Sequence, residues 1–258
     1  MNLHAILCWY DESPTWLAGC VSSLTRIGVS NVIAVDGRYP HYAPHQPAYS
    51  RIDQVDAITS TAHGAGMEIL LHQPRIPMLE PDKRRLAFRL LNAIAEAHTD
   101  WVLVIDADEL VTEGMPTVPE ELDNLPDTTH TARATLATPI DPYAVPGADN
   151  NVNEKTLEIH QKMPIPSNFL SAQSRFFRVL DQMDCAGTHF NYTGWDRHGS
   201  VVRLRPDIGS KLAGTIETDI AHLDTRVVIE HRKNHRTAER RSEKVAYYTT
   251  RDELGLER

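Results

Sequence analysis

Residues Trp101–Leu110, WVLVIDADEL, decide how the chain is read. Five consecutive apolar residues fit a strand buried on both faces. The strand then ends in Asp106, Asp108 and Glu109. Carboxylates at the tip of a core strand sit where desolvation penalises charge, so something must supply counter-charge there.

Upstream, two periods alternate. LHAILCW reads as a first strand. SPTWLAGCVSSLTRIG then sets Leu17, Cys20, Val21, Leu24 and Ile27 at helical spacing, with Ser13 as cap, Pro14 at the first helical position and Gly28 at the end. NVIAVDG is a second strand, and RIDQVDAITSTAHGAG a helix with Ile52, Val55, Ile58 and Ala62 on one face. MEILLH is a third strand. After QPRIPMLEPD, the helix KRRLAFRLLNAIAEAH carries a stripe of Leu86, Leu90, Leu91 and Ile94 and leads into the fourth strand. Short apolar strands separated by amphipathic helices imply an α/β fold: a mainly parallel sheet with right-handed crossovers, flanked by helices. Ligands are expected at the carboxyl ends of such strands, where Asp11, Asp36, Asp106 and Asp108 fall.

Beyond Pro116 the pattern is less regular. HTARATLAT, KTLEIHQKM, SRFFRVL and SVVRLRP each suit a strand, with Phe176 and Phe177 as core residues. PIDPYAVPGADNNVNE has no regular period, and HRTAERRSEKVAYYTTRDELG reads as a helix closed by Gly255.

Composition narrows the function classes. Against 26 Lys and Arg stand 35 Asp and Glu, a net charge of -9 that argues against wholesale binding to a phosphate backbone. Cys8, Cys20 and Cys185 have no CxxC spacing and leave one thiol over after any single disulfide, which favours a reducing, cytoplasmic setting. The amino terminus reads as a strand rather than a signal peptide, and no run is long enough to span a bilayer.

Two carboxylates at i and i+2 on a strand end suit a hard divalent cation, Mg²⁺ or Mn²⁺, that keeps positions open for diphosphate oxygens. The competing reading is that Asp106 and Asp108 are solvated residues capping the next turn.

The order CWYDES closing strand one, VIAVDG closing strand two, the helix KRRLAFRLL and then DWVLVIDADEL resembles the GT-A fold glycosyltransferases, family-2-like enzymes in particular. The resemblance implies a nucleoside-diphosphate sugar donor, with Asp36 on the base, Asp106 on the ribose or metal, and Asp108 on the metal. It counts Asp11, Lys83 and Arg84 among the donor-binding residues. It implies one GT-A-like domain over residues 1–258, with 1–115 as the nucleotide-sugar half and 116–258 as the acceptor side with its terminal helix. YDE stands where an Asn-Glu pair is frequent in that family, and DGRYP where Asp-Gly or Asp-Ser is usual. DIAHLD and the basic tail resemble bacteriophage-encoded glycosyltransferases, which would make His222 a metal or diphosphate ligand and the host cytoplasm its setting.

An inverting transfer needs a carboxylate base. Asp184, Asp196, Glu158 and Asp141 are all candidates, and the sequence does not choose between them. For the acceptor, a protein or glycan hydroxyl is favoured over a modified base in phage DNA, because the basic tail is interleaved with Glu and no wedge residues are identifiable. A haloacid-dehalogenase-like phosphatase would carry its DxD after the first strand. A nucleotidyltransferase would carry glycines after strand one, and CWYDESPTW has none. The rival of another class is a non-catalytic sugar- or metal-binding module.

Overall fold

The computed structural model describes residues 1–40, 46–139, 168–185, 192–204 and 219–232. The first half follows the alternation of its sequence: β1 (Leu3–Trp9), α1 (Pro14–Ser23), a 3-10 turn (Leu24–Ile27), β2 (Asn31–Asp36), α2 (Ile52–Gly64), β3 (Glu68–His72), α3 (Glu80–Asn92) and β4 (Trp101–Asp106). These strands pair in parallel in the order β3-β2-β1-β4. Strand order reverses beside β1, so a crevice opens between the carboxyl ends of β1 and β4, where doubly wound sheets bind ligands. Cys8 of β1 is in register with Asp106 of β4. Gly28 closes the 3-10 turn with φ 69°, and a Cβ there would stand 2.6 Å from the Pro116 carbonyl oxygen, so two separate constraints require glycine.

Two helix faces differ from the expected ones. In α2 Ile52 is 71% exposed, and the buried stripe is Gln54, Ile58 and Ala62. Gln54 belongs inside because its amide serves the loop after β1, accepting from Glu12 N–H and donating to Asp11 Oδ1. Helix α3 starts at Glu80 with Pro81 in its first turn, and Ile94 lies exposed beyond its end. Its buried face is Lys83, Arg84, Ala87, Phe88 and Leu91, with Leu86 and Leu90 only partly covered. Two cations lead this face because they meet polar groups at the carboxyl edge of the sheet.

Helices α1 and α2 pack Leu17, Val21, Ile58 and Ala62 on one side of the sheet, against Leu7, Val32 and Leu103. On the other side α3 packs Phe88 and Leu91 against Ile33, Val102 and Val104. A small antiparallel sheet of β8 (Asp181–Cys185), β9 (Tyr192–Trp195) and β10 (Val201–Leu204) joins that second core through Met183, Tyr192 and Val202.

The described part of the second half is more regular than its sequence implies. After β4 come β5 (Glu109–Glu113), α4 (Val118–Asp123), β6 (Thr129–Pro139), β7 (Asn168–Arg178), β11 (Asp219–His222) and β12 (Val228–His231). All the strands of this group extend the main sheet, which runs β3-β2-β1-β4-β7-β6-β12-β5 with β11 also on β6. Phe176 and Phe177 are core residues, as read. Chain connectivity imposes a shape. Glu109 follows Asp106 by three residues and so lies within roughly 11 Å of it. Yet β5 is four strand steps from β4, roughly 19 Å across a flat sheet. The sheet therefore curls, bringing β5 back beside the tip of β4.

KTLEIHQKM, the C-terminal helix, Glu158 and Asp141 lie outside the described residues. No helix among the described residues is long and apolar enough to cross a membrane.

Candidate functional site

The acids that close β4 take three different environments. Asp106 keeps 34% of its side chain exposed and accepts from Arg84 Nη2 at 2.8 Å. Asp108 is 2% exposed and lies 3.1 Å from His231 Nε2. Glu109 is 1% exposed, accepts from Arg175 Nη2 at 2.6 Å, and takes the backbone N–H of Asp106 at 2.9 Å. Each charge is met by a group from a different element, α3, β12 and β7. Arg175 also reaches the Val104 carbonyl, so the Glu109 pair clamps the curled sheet across its opening. Burial pushes the Glu109 carboxyl up, with Arg175 opposing.

Arg84 is buried and anchored on three sides: by Glu80 at 2.9 Å, by the Tyr192 hydroxyl at 3.2 Å, and by Asp106. Tyr192 is itself held between Phe88 and Phe177, with ring centroids 4.7 and 4.9 Å away. This guanidinium is preorganised beside the one motif carboxylate that faces solvent. Lys83, fully buried, donates to the Trp9 carbonyl at 3.0 Å and sits 3.6 Å from the Tyr39 ring centroid. It joins α3 to the carboxyl end of β1.

The end of β2 is closed rather than open. Asp36 is wholly buried and accepts from Ser50 N–H and Oγ, both at 2.6 Å, and from Gln73 Nε2 at 3.0 Å. Ser50 Oγ in turn accepts from Asp11 N–H at 2.8 Å. Asp11 is exposed at the end of β1 with φ 50°, a left-handed conformation that Asp tolerates. Asp36 thus ties the loop after β2 to the end of β1, and Asp11 is the acid there that faces solvent.

His222 and the two described base candidates lie in other surroundings. His222, on β11, has its Nε2 3.5 Å from Arg133 Nη1, while the imidazole on Asp108 belongs to His231. Asp196 caps the turn between β9 and β10 by accepting from the N–H groups of His198 and Ser200, which hold its carboxyl below the usual range. Asp184, half exposed, accepts from Arg85 Nε at 3.2 Å and from Cys185 N–H at 2.8 Å. Arg85 neighbours Arg84 on α3, so Asp184 joins the small sheet to that helix.

Sequence reasoning passed over Arg175, His231, Tyr192 and Ser50. A signal existed for Arg175, an arginine inside the apolar strand SRFFRVL that calls for a buried acid. Nothing local marks His231. None of the three cysteines is in a disulfide, and burial raises the Cys8 and Cys185 thiols to about 11, which makes them poor nucleophiles. Among the described residues no group of three or more His, Cys, Asp or Glu is arranged to hold a metal by itself.

No family model and no curated protein matches the sequence. Among solved structures, the apo form of mouse xyloside xylosyltransferase 1 is similar over 52% of this chain and 52% of its own length, with a TM-score of 0.32 and 13% identity. The chain spans about half the length of that protein.

Proposed function

We propose that the chain is a glycosyltransferase that moves a sugar from a nucleoside-diphosphate sugar to an acceptor hydroxyl, with Mn²⁺ or Mg²⁺ held at Asp106 and Asp108. One observation carries the reading: at the crevice between β1 and β4, Asp106 alone of the three motif acids offers its carboxylate to solvent, beside a preorganised buried Arg84. The donor set suits a hard cation, since Asp106 and Asp108 would provide oxygens, His231 adjoins Asp108, and remaining positions would be filled by ligand oxygens. Bound there, the cation would supply charge to steady a departing diphosphate.

The chain's own contribution is placement. Arg84 orients Asp106, Glu109 and Arg175 fix the turn that presents it, and Asp11 lines the neighbouring strand end. Both described base candidates accept backbone N–H groups, Asp196 those of Ser200 and His198 and Asp184 that of Cys185, so both stand as candidates. A protein or glycan hydroxyl is the acceptor this reading favours.

The test is metal-dependent turnover of nucleotide sugars by the full chain. Asp106→Asn and Asp108→Asn should each lower donor turnover by about a hundredfold or more while circular dichroism is retained. Full turnover by both variants, or in excess chelator, rejects the assignment. A thermal-shift screen of nucleoside diphosphates with and without Mn²⁺ would name the base, because a ligand of the native state raises its stability. A second reading, a non-catalytic binding module, draws on the fact that each motif acid already has a partner within the protein. Saturable nucleotide-sugar binding with no turnover would favour it.

A further inference from the structure

The far edge of β6 holds a second concave feature. Strand β11 pairs with the first part of β6 and β12 with the second part, both in parallel, and residues 223–227 bridge the change of partner. The bridge and the strand line an open cavity of about 150 Å³. Arg133 and His222 form its basic wall.

The charge balance of this wall is one-sided. Arg133 Nη1 and His222 Nε2 approach to 3.5 Å, the outer limit of a hydrogen bond. Arg133 Nε is buried and has no hydrogen-bond partner among the described residues. Neither side chain forms an ion pair with an acid among the described residues. Two of the three nearby acids have other work. Glu121 of α4 accepts from the backbone N–H groups of Asp224 and Thr225, and Glu113 pairs with Arg226 at 3.4 Å. Asp224 lines the cavity but is exposed. A buried guanidinium N–H with no acceptor is costly, and no described residue supplies one here. A small tetrahedral oxyanion would offer acceptors to the Arg133 guanidinium and to an N–H of His222 together. The same basic pair would repel a divalent cation, so this cavity and the tip of β4 select opposite charges.

We propose that this cavity is an oxyanion site that takes a phosphate group through Arg133 and His222. The inference stands independently of glycosyl transfer, and absence of donor turnover would leave it intact. The test is titration of the full chain with inorganic phosphate and, separately, with glycerol 1-phosphate, in chelator so that no metal at Asp106 and Asp108 can capture either. Calorimetry should show saturable binding that weakens about tenfold or more in Arg133→Gln and persists in Asp106→Asn. Tighter binding of the ester assigns a phosphorylated metabolite or acceptor, and tighter binding of the free ion assigns inorganic phosphate. If Arg133→Gln does not fold, amide spectra of the unmodified chain decide. Phosphate should move the resonances of Arg133, Thr135 and Thr225 and leave those of Ala107 and Asp108 in place. Shifts confined to Ala107 and Asp108, undiminished binding in a folded Arg133→Gln variant, or no saturable binding of either probe would overturn the proposal.

Discussion

The carboxyl ends of β2 and β4 each finish in an aspartate, and they make opposite use of it. At the end of β2, Asp36 is buried and saturated by Ser50 and Gln73, so it organises a loop. At the end of β4, Glu109 takes the buried, structural place with Arg175, Asp108 is buried against His231, and Asp106 is left one-third exposed beside Arg84. A strand-end acid becomes available for ligand chemistry when a neighbouring acid carries the structural load. Position alone does not decide it.

The largest way to break this contrast is to remove the clamp. Arg175→Met should destabilise the chain by about 3–5 kcal/mol in urea unfolding, because it leaves Glu109 buried without its cation. A loss under about 1 kcal/mol would mean that Glu109 is not structural. Next comes Asp36→Ala, which strips Ser50 and Gln73 of a charged acceptor and should cost about 2–3 kcal/mol. Donor affinity should fall with it only as far as the loop loosens, which amide exchange at residues 46–50 would report.

The amino end of β4 sharpens the comparison through pH. Burial disfavours ionised Asp100, but hydrogen bonds from His4 and from the N–H groups of Glu96 and Asn2 outweigh it and hold the carboxyl at about 2, against an ordinary 3.8. A depressed acid stabilises the fold above its ordinary pKa and loses that contribution as pH falls through the folded value. About 2 kcal/mol should therefore disappear between pH 4 and pH 2, and Asp100→Asn should remove that part of the acid dependence. An unchanged acid limb in the variant would refute the assignment. The smallest stability effect belongs to Asp106→Asn, no more than about 1 kcal/mol, since Asp106 is partly solvated and Arg84 keeps Glu80. The same variant shares with Asp108→Asn the largest expected effect on turnover, and that separation of stability from activity is what the comparison predicts.

By itself the sequence determined the parallel half of the molecule. Apolar runs such as WVLVI and NVIAV, each followed by an acid and separated by amphipathic helices, specify buried parallel strands because hydrophobic periodicity is a local property of the chain. The same locality explains the placement of Asp11, Asp36, Asp106 and Asp108 at strand ends. Tertiary structure alone decided which of them are open. Arg175 and His231 lie 66 and 123 residues from the acids they meet, and their approach depends on β7 and β12 joining a sheet that curls to return β5 to β4. Burial of Gln54, Lys83 and Arg84 on helix faces that hydrophobic spacing would give to isoleucine and leucine has the same origin. Their partners, Asp11, the Trp9 carbonyl and Asp106, are brought within reach only when the strand ends assemble. A polar side chain is buried where another element satisfies it, and no local pattern in the chain encodes that element's arrival.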